Sequence, residues 1–141
     1  MTFQASRKIA APPSSVFAVF EESARLAIWW GPAGFTNTFL TFEFTPGGKW
    51  SFTMHGPDGK NYLNEIVTAE IEPPQRIVVH HVSLPGYLLT VTLEPTADGG
   101  TLVSWNQDFE NPEVGRTMER ILTPANEQFP DRLSAFVTSL P

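Results

Sequence analysis

The 141-residue sequence contains no cysteine, which excludes disulfide bonds, thiolate metal sites and cysteine nucleophiles. Charged residues make up 17% of the chain, against roughly 25% in an average protein. The 9 basic and 15 acidic residues give a formal net charge of −6 without a basic cluster, which argues against nucleic acid and anionic membrane surfaces. Apolar runs are a few residues long, whereas a membrane helix needs roughly 20. We therefore expect one cytoplasmic domain over residues 1–141, with neither nucleic acid nor membrane as partner.

The motifs that commonly mark catalytic or cofactor sites are also missing. No glycine-rich turn has the strand before it and the basic helix start after it that a phosphate-binding loop requires, and no serine lies in a G-x-S-x-G motif. Two of the three histidines, His80 and His81, are adjacent and would point to opposite faces of a strand. They cannot share a metal site in any simple way. The sequence therefore predicts no metal, no cofactor and no catalytic set.

Turn-forming residues divide the centre of the chain into segments in which apolar residues recur with a period of two. This period is typical of strands that bury one face. Short turns between consecutive strands predict an antiparallel meander. The six strand candidates cover residues 37–45, 49–55, 61–72, 76–83, 87–96 and 101–110.

Helices are predicted on both sides of this meander. A first strand over residues 2–11 is followed by two short helices, the first of which starts near Pro13. Thr123-Pro124 marks the start of a long C-terminal helix, in which Pro130 predicts a kink or break near Phe129. This order predicts an α+β fold in which a curved antiparallel sheet wraps around the C-terminal helix. A cavity is expected in the gap between sheet and helix.

Three polar residues fall on strand faces that are otherwise apolar and are expected to face the C-terminal helix. Glu65 shares its face with Leu63 and Ile71, while His81 and Gln107 lie on two other strands. Buried together, these groups could orient a ligand, and Glu65 could act as an acid or base. Alternatively, each lies at the rim of the sheet in contact with water.

Aromatic residues form 12% of the chain and include four tryptophans. Trp50 and Trp105 lie on inward strand faces, where large side chains usually fill the core. Trp29 and Trp30 are adjacent at the end of a short helix, so we expect that they cannot both point into one core. One of them would cover the mouth of a pocket while the other packs beneath it, or both would form a structural plug.

Several motifs together resemble a known family. In order along the chain they are Trp29-Trp30-Gly31-Pro32 with Gly34-Phe35, Pro46-Gly47-Gly48 with Trp50 and Met54, Gly56-Pro57-Asp58-Gly59, and Asn126-Glu127-Gln128 before Leu133. They resemble the SRPBCC superfamily and, more narrowly, bacterial relatives of the C-terminal domain of the activator of the ninety-kilodalton heat-shock protein ATPase. The resemblance implies the START-like, helix-grip fold of the birch-pollen allergen. It implies no catalytic residues, because members include carriers, cyclases and co-chaperone domains.

Three functional hypotheses follow, of which the first is binding of a small apolar or aromatic molecule in a cavity between the sheet and the C-terminal helix. The second is a cyclase, dehydratase or hydrolase that uses Glu65 and His81 as an acid–base pair. The third, ranked last, is an interaction protein that acts on a chaperone's ATPase. Exposed sheet edges in such a fold leave a homodimer open. The predicted ligand-binding residues are Trp30, Phe35, Trp50, Met54, Glu65, His81, Trp105, Gln107, Phe109, Phe129 and Leu133.

Overall fold

The structure is a computed structural model, and it describes residues 1–140. Its strands are β1 (Thr2–Ile9), β2 (Thr36–Phe42), β3 (Lys49–His55), β4 (Asn61–Glu72), β5 (Arg76–His81), β6 (Tyr87–Pro95) and β7 (Thr101–Phe109). Its helices are α1 (Pro13–Ala18), α2 (Ser23–Trp29), α3 (Pro112–Thr117) and α4 (Glu119–Ser139). The strands form one antiparallel sheet in the order β1-β7-β6-β5-β4-β3-β2. The predicted meander is confirmed, and so is the α+β helix-grip architecture around a long C-terminal helix.

Most of the predicted inward faces are confirmed. Period-two alternation predicts these faces correctly because each strand buries one side against α4 and the short helices. The buried residues of β3 and of β5 to β7 that share this side are Trp50, Phe52, Ile77, Val79, His81, Leu89, Val91, Leu93, Val103, Trp105 and Phe109.

The first half of β4 faces opposite to the prediction. Pairing between β4 and β5 shifts in register at Thr68–Glu70, which is a β-bulge. The extra residue shifts the alternation of inward and outward side chains by one position. Ile66, before the bulge, and Ile71, after it, therefore both pack against the core. Leu63 is 80% exposed, and Glu65 is exposed as well. The expectation that Leu63 and Glu65 face the C-terminal helix is therefore wrong.

Trp29 and Trp30 both enter the core, which contradicts the expectation for this pair. Trp29 is the last residue of α2, and Trp30 has extended backbone angles of φ −67° and ψ 134°. This change of direction after the helix brings both rings to the same interior region. They are 1% and 2% exposed, and their ring centroids lie 5.6 Å apart.

The C-terminal helix begins earlier than predicted and is not interrupted. It starts at Glu119, so Thr123-Pro124 lies inside its second turn rather than at its start, and it continues past Pro130. Of the kink or break predicted near Phe129, the break is therefore wrong. The two internal prolines each remove a backbone hydrogen bond of the helix. The burial of one stripe of side chains against the sheet stabilises the helix and compensates for this loss. The stripe consists of Leu122, Asn126, Pro130, Leu133 and Val137.

Candidate functional site

An aromatic cluster fills the centre of the molecule between the sheet and α4. The ring centroid of Trp30 lies 5.6 Å from that of Trp50, 6.2 Å from that of Trp105 and 5.1 Å from that of Phe129. All four tryptophans are at most 2% exposed. Leu133 is fully buried against the same cluster. The space in which the sequence predicted a cavity is thus largely occupied by side chains, and open space lies beside it.

The open space is a cleft between β6–β7 and the N-terminal half of α4. Its inner part has a volume of about 130 Å³ and its outer part about 310 Å³. The two parts share Tyr87, Gln107 and Leu122 and therefore lie side by side. The inner part is also lined by Pro32, Leu89, Trp105, Ile121, Ala125, Asn126 and Phe129. The outer part is also lined by Met54, Tyr62, Leu63, Asn64, His81, Leu84, Pro85, Phe109 and Met118.

The cleft carries no formal charge on its lining. Neither part is lined by a lysine, arginine, aspartate or glutamate from the described residues. Residues 1–140 also contain no group of three or more His, Cys, Asp or Glu side chains placed to hold a metal ion. No helix in that range combines the length and apolarity needed to cross a membrane.

The polar end of the inner part is built around Asn126 of α4. Its amide nitrogen Nδ2 donates to Oε1 of Gln107 and to the carbonyl oxygen of Leu122, both at 2.8 Å. These two hydrogen bonds use both N–H groups and fix the amide orientation. Tyr87 lines both parts of the cleft beside Gln107, and burial raises the pKa of its phenol. Tyr87 is consequently a neutral phenol at physiological pH.

His81 borders the outer part of the cleft on the same face as Tyr87. Its ring stacks on the Tyr87 ring with centroids 4.5 Å apart and planes 5° apart. Nδ1 donates to the carbonyl oxygen of Pro85 at 2.9 Å, and Nε2 contacts the Asn64 side chain at 2.6 Å. Burial lowers the pKa of His81, with the hydrogen bond to Pro85 opposing the shift. Burial therefore disfavours the charged imidazole, while both ring nitrogens face oxygen acceptors, the Pro85 carbonyl and Oδ1 of Asn64.

Arg132 of α4 holds the α2–β2 connection against the cleft. Its guanidinium donates to five backbone carbonyl oxygens, at distances of 2.7 to 3.3 Å. Desolvation lowers the pKa of this guanidinium, and no carboxylate pairs with it among the described residues. The bonded carbonyls belong to Ile28, Trp30, Gly31, Pro32 and Phe35. Because Pro32 lines the inner part, Arg132 fixes one of its walls.

The family model described as Activator of Hsp90 ATPase homolog 1-like protein matches residues 10–138. The chain belongs to this family. The resemblance seen in the sequence motifs is thereby confirmed, and the helix-grip fold is that of the SRPBCC superfamily, whose members commonly bind hydrophobic ligands. No curated protein matches the chain.

Solved structures share this AHSA1-like fold from end to end. A protein from Arthrobacter aurescens is 27% identical with a TM-score of 0.89, over 99% of this chain and 87% of that one. The protein NE0264 from Nitrosomonas europaea is 18% identical with a TM-score of 0.87, over 99% and 95% of the two chains. An AHSA1-like protein from Aeromonas hydrophila is 17% identical with a TM-score of 0.79, over 99% and 93%. These likenesses establish the architecture in which the cleft of the AHSA1-like chain is built.

Ten of the eleven residues predicted from the sequence separate into three groups in this AHSA1-like structure. Trp30, Trp50 and Leu133 lie in the core behind the cleft. Phe35 lies outside the cleft lining and packs on Tyr62, with ring centroids 6.1 Å apart. Those that line the cleft are Met54, His81, Trp105, Gln107, Phe109 and Phe129.

Glu65 lies on the outer face of the sheet, away from the cleft. Its Oε1 is 3.9 Å from Nζ of Lys49, and both side chains are about half exposed. His81 is buried on the inner face. The hypothesis of a Glu65–His81 acid–base pair is therefore wrong, because the sheet separates the two side chains.

Four polar residues of the cleft lining lie outside the predicted set: Tyr62, Asn64, Tyr87 and Asn126. Tyr87 alternates in the sequence with apolar residues of its strand, although its hydroxyl is a polar group that an inward face must satisfy. Asn126 precedes the apolar positions Phe129, Leu133 and Val137, which mark the buried stripe of the helix in the sequence. Extending that stripe by one turn toward the N-terminus places Asn126 between Leu122 and Pro130, as a polar residue on a buried face.

Proposed function

We propose that this protein binds a small, mostly apolar molecule in the cleft between β6–β7 and the N-terminal half of α4. The observation that carries the proposal is a concave apolar lining with a few linked polar groups at one end. Leu89, Trp105 and Phe129 supply apolar surface, while Gln107 and Asn126 supply hydrogen-bonding atoms. This combination is typical of small-molecule sites in proteins.

The dimensions of the cleft favour a ligand with a single ring. The inner part, at about 130 Å³, is close in size to an apolar cavity of about 150 Å³ that holds benzene. The outer part offers further space for a substituent. Ile121 is 65% exposed and Leu84 is 94% exposed, so apolar side chains also border the entrance. A bound ring would shield part of this surface from water, which favours binding.

Titration with toluene, followed by amide resonances in NMR spectra, tests the proposal. Toluene should shift the resonances of Leu89, Gln107 and Ala125, which surround the inner part. Ala125→Leu should abolish these shifts, because the added carbons occupy the inner part of the cleft. Ala135→Leu is the matched control, since Ala135 is an exposed residue of the same helix away from the cleft.

Shifts that persist unchanged in Ala125→Leu would contradict the proposal. Shifts confined to residues distant from the cleft would do the same. Thermal unfolding of both variants tests whether each is folded, so that a loss of binding can be distinguished from a loss of folding.

A further inference from the structure

We propose that the cleft selects a neutral ring that carries a hydroxyl group, as phenol does, over unsubstituted and anionic rings of similar size. This inference rests on the proposed function and names the class of ligand. It depends on which hydrogen-bonding atoms the cleft presents and on which charges it lacks.

Asn126 lines the inner part of the cleft and has an unused acceptor atom. It is 5% exposed, and both of its N–H groups are donated to Gln107 and Leu122. The remaining atom, Oδ1, accepts no hydrogen bond within residues 1–140. An amide oxygen carries lone pairs only, so it is satisfied by a donor and is unfavourable beside an anion. A ligand hydroxyl can supply that donor.

Tyr87 presents the complementary donor. The phenol of Tyr87 lines both parts of the cleft and donates to no acceptor within residues 1–140. The proton of the Tyr87 hydroxyl is then available to a ligand acceptor. Because Tyr87 and Asn126 both line the inner part of the cleft, this donor and the Asn126 acceptor flank one region. A single hydroxyl, which both donates and accepts, satisfies them together.

The absence of formal charge on the cleft lining determines the charge of the ligand. No lysine or arginine of the described chain lines either part, so a buried carboxylate would have no counterion. A buried charge without a partner is strongly unfavourable. Burial also disfavours the charged form of His81, the one imidazole in the lining. The lining thus matches a neutral ligand.

Three probes of nearly the same shape separate these features: toluene, phenol and benzoate. Calorimetric titration at neutral pH should give a phenol affinity about five- to a hundredfold above that of toluene, the range expected for two net hydrogen bonds. Benzoate should bind at least about tenfold more weakly than phenol.

Substitutions of Asn126 and Tyr87 test whether these residues cause the preference for phenol. Asn126→Leu and Tyr87→Phe each remove one hydrogen-bonding partner of the hydroxyl, so the preference for phenol over toluene should fall in both. A loss of folding would weaken both probes equally, whereas a smaller preference for phenol at an unchanged toluene affinity requires the named atoms. Thr138→Val removes a hydroxyl from the same helix outside the cleft and should retain the preference for phenol.

The outcomes distinguish the inference from the proposed function. Phenol and toluene of equal affinity, or benzoate as tight as phenol, would overturn the inference while leaving the cleft a binding site. Retention of the phenol preference in both Asn126→Leu and Tyr87→Phe would overturn it as well. Failure of all three probes to bind would overturn the proposed function itself.

Discussion

At the scale of single residues, Gly31 shows how one backbone position determines the wall of the cleft. Its φ of +103° lies in a region that residues with a Cβ rarely adopt. A Cβ at this position would lie 2.9 Å from Cε of Met54 and 3.1 Å from Cβ of Phe35. Met54 lines the outer part of the cleft. The glycine of the Trp-Trp-Gly-Pro motif therefore permits both the turn and the close approach of these side chains.

Gly31→Ala should lower the free energy of unfolding by about 2–4 kcal/mol, since backbone strain and steric overlap both contribute. The matched control is Gly59→Ala, at φ +83° with no atom within 4 Å of the added Cβ. It should cost about 1 kcal/mol, from backbone strain alone. Urea denaturation measures both values. Equal losses for the two variants would show that contact with Met54 and Phe35 contributes nothing.

Single residues also show where sequence reasoning reaches its limit. His81 and Gln107 were identified as polar groups on apolar strand faces, and the structure places both at the cleft. Glu65 satisfied the same pattern and lies on the other side of the sheet. The difference is one inserted residue at the bulge in β4, which changes the face of every residue before it.

At the scale of elements, Arg132 joins α4 to the connection between α2 and β2. Its five hydrogen bonds to carbonyl oxygens satisfy backbone groups that have left the helix. Arg7 of β1 also contacts α4, but through ion pairs with Glu127 and Asp131 at 2.5 and 2.6 Å. The two arginines therefore attach the same helix by different interactions.

Arg132→Met should lower the free energy of unfolding by about 2–4 kcal/mol, because several partly buried carbonyls lose their donor. Arg7→Met is the matched control and should cost about 1 kcal/mol or less, since both of its carboxylate partners are exposed. Urea denaturation at low and high salt measures the two effects.

Salt separates the two mechanisms further. The cost of Arg7→Met should shrink at high salt because exposed ion pairs are screened, while the cost of Arg132→Met should not, because its partners are uncharged carbonyls. A cost of Arg132→Met no larger than that of Arg7→Met would contradict the role assigned to Arg132.

At the scale of the whole molecule, stability should depend on pH through His81. Burial lowers the pKa of His81 from 6.5, so the unfolded chain binds its proton more readily than the folded chain does. The contribution of His81 to the free energy of unfolding is complete above pH 6.5. It is lost as the pH falls from there through the pKa of the folded state.

Urea denaturation at about pH 7.5 and about pH 5.5 tests this dependence. His81→Phe keeps a ring beside Tyr87 and should lose less stability between the two pH values than the unaltered protein. Thr138→Val retains His81 and removes no titratable group, so it should lose as much as the unaltered protein. An unchanged pH dependence in His81→Phe would refute the assignment.

The sequence by itself determined the order of the elements and most of the inward faces. Period-two alternation and turn residues are local signals, and they located six strands because each strand buries one face continuously. The family motifs added the helix-grip fold, which the family match confirms.

The tertiary structure alone decided where the open space lies. Whether Trp30 and Trp50 line a cavity or fill it depends on packing among residues distant in sequence, and the rings fill the core. The bulge in β4 and the continuous course of α4 past Pro130 likewise arise from pairing and burial between elements. Local sequence patterns do not predict these features, because they depend on packing between residues that come into contact only in the folded chain.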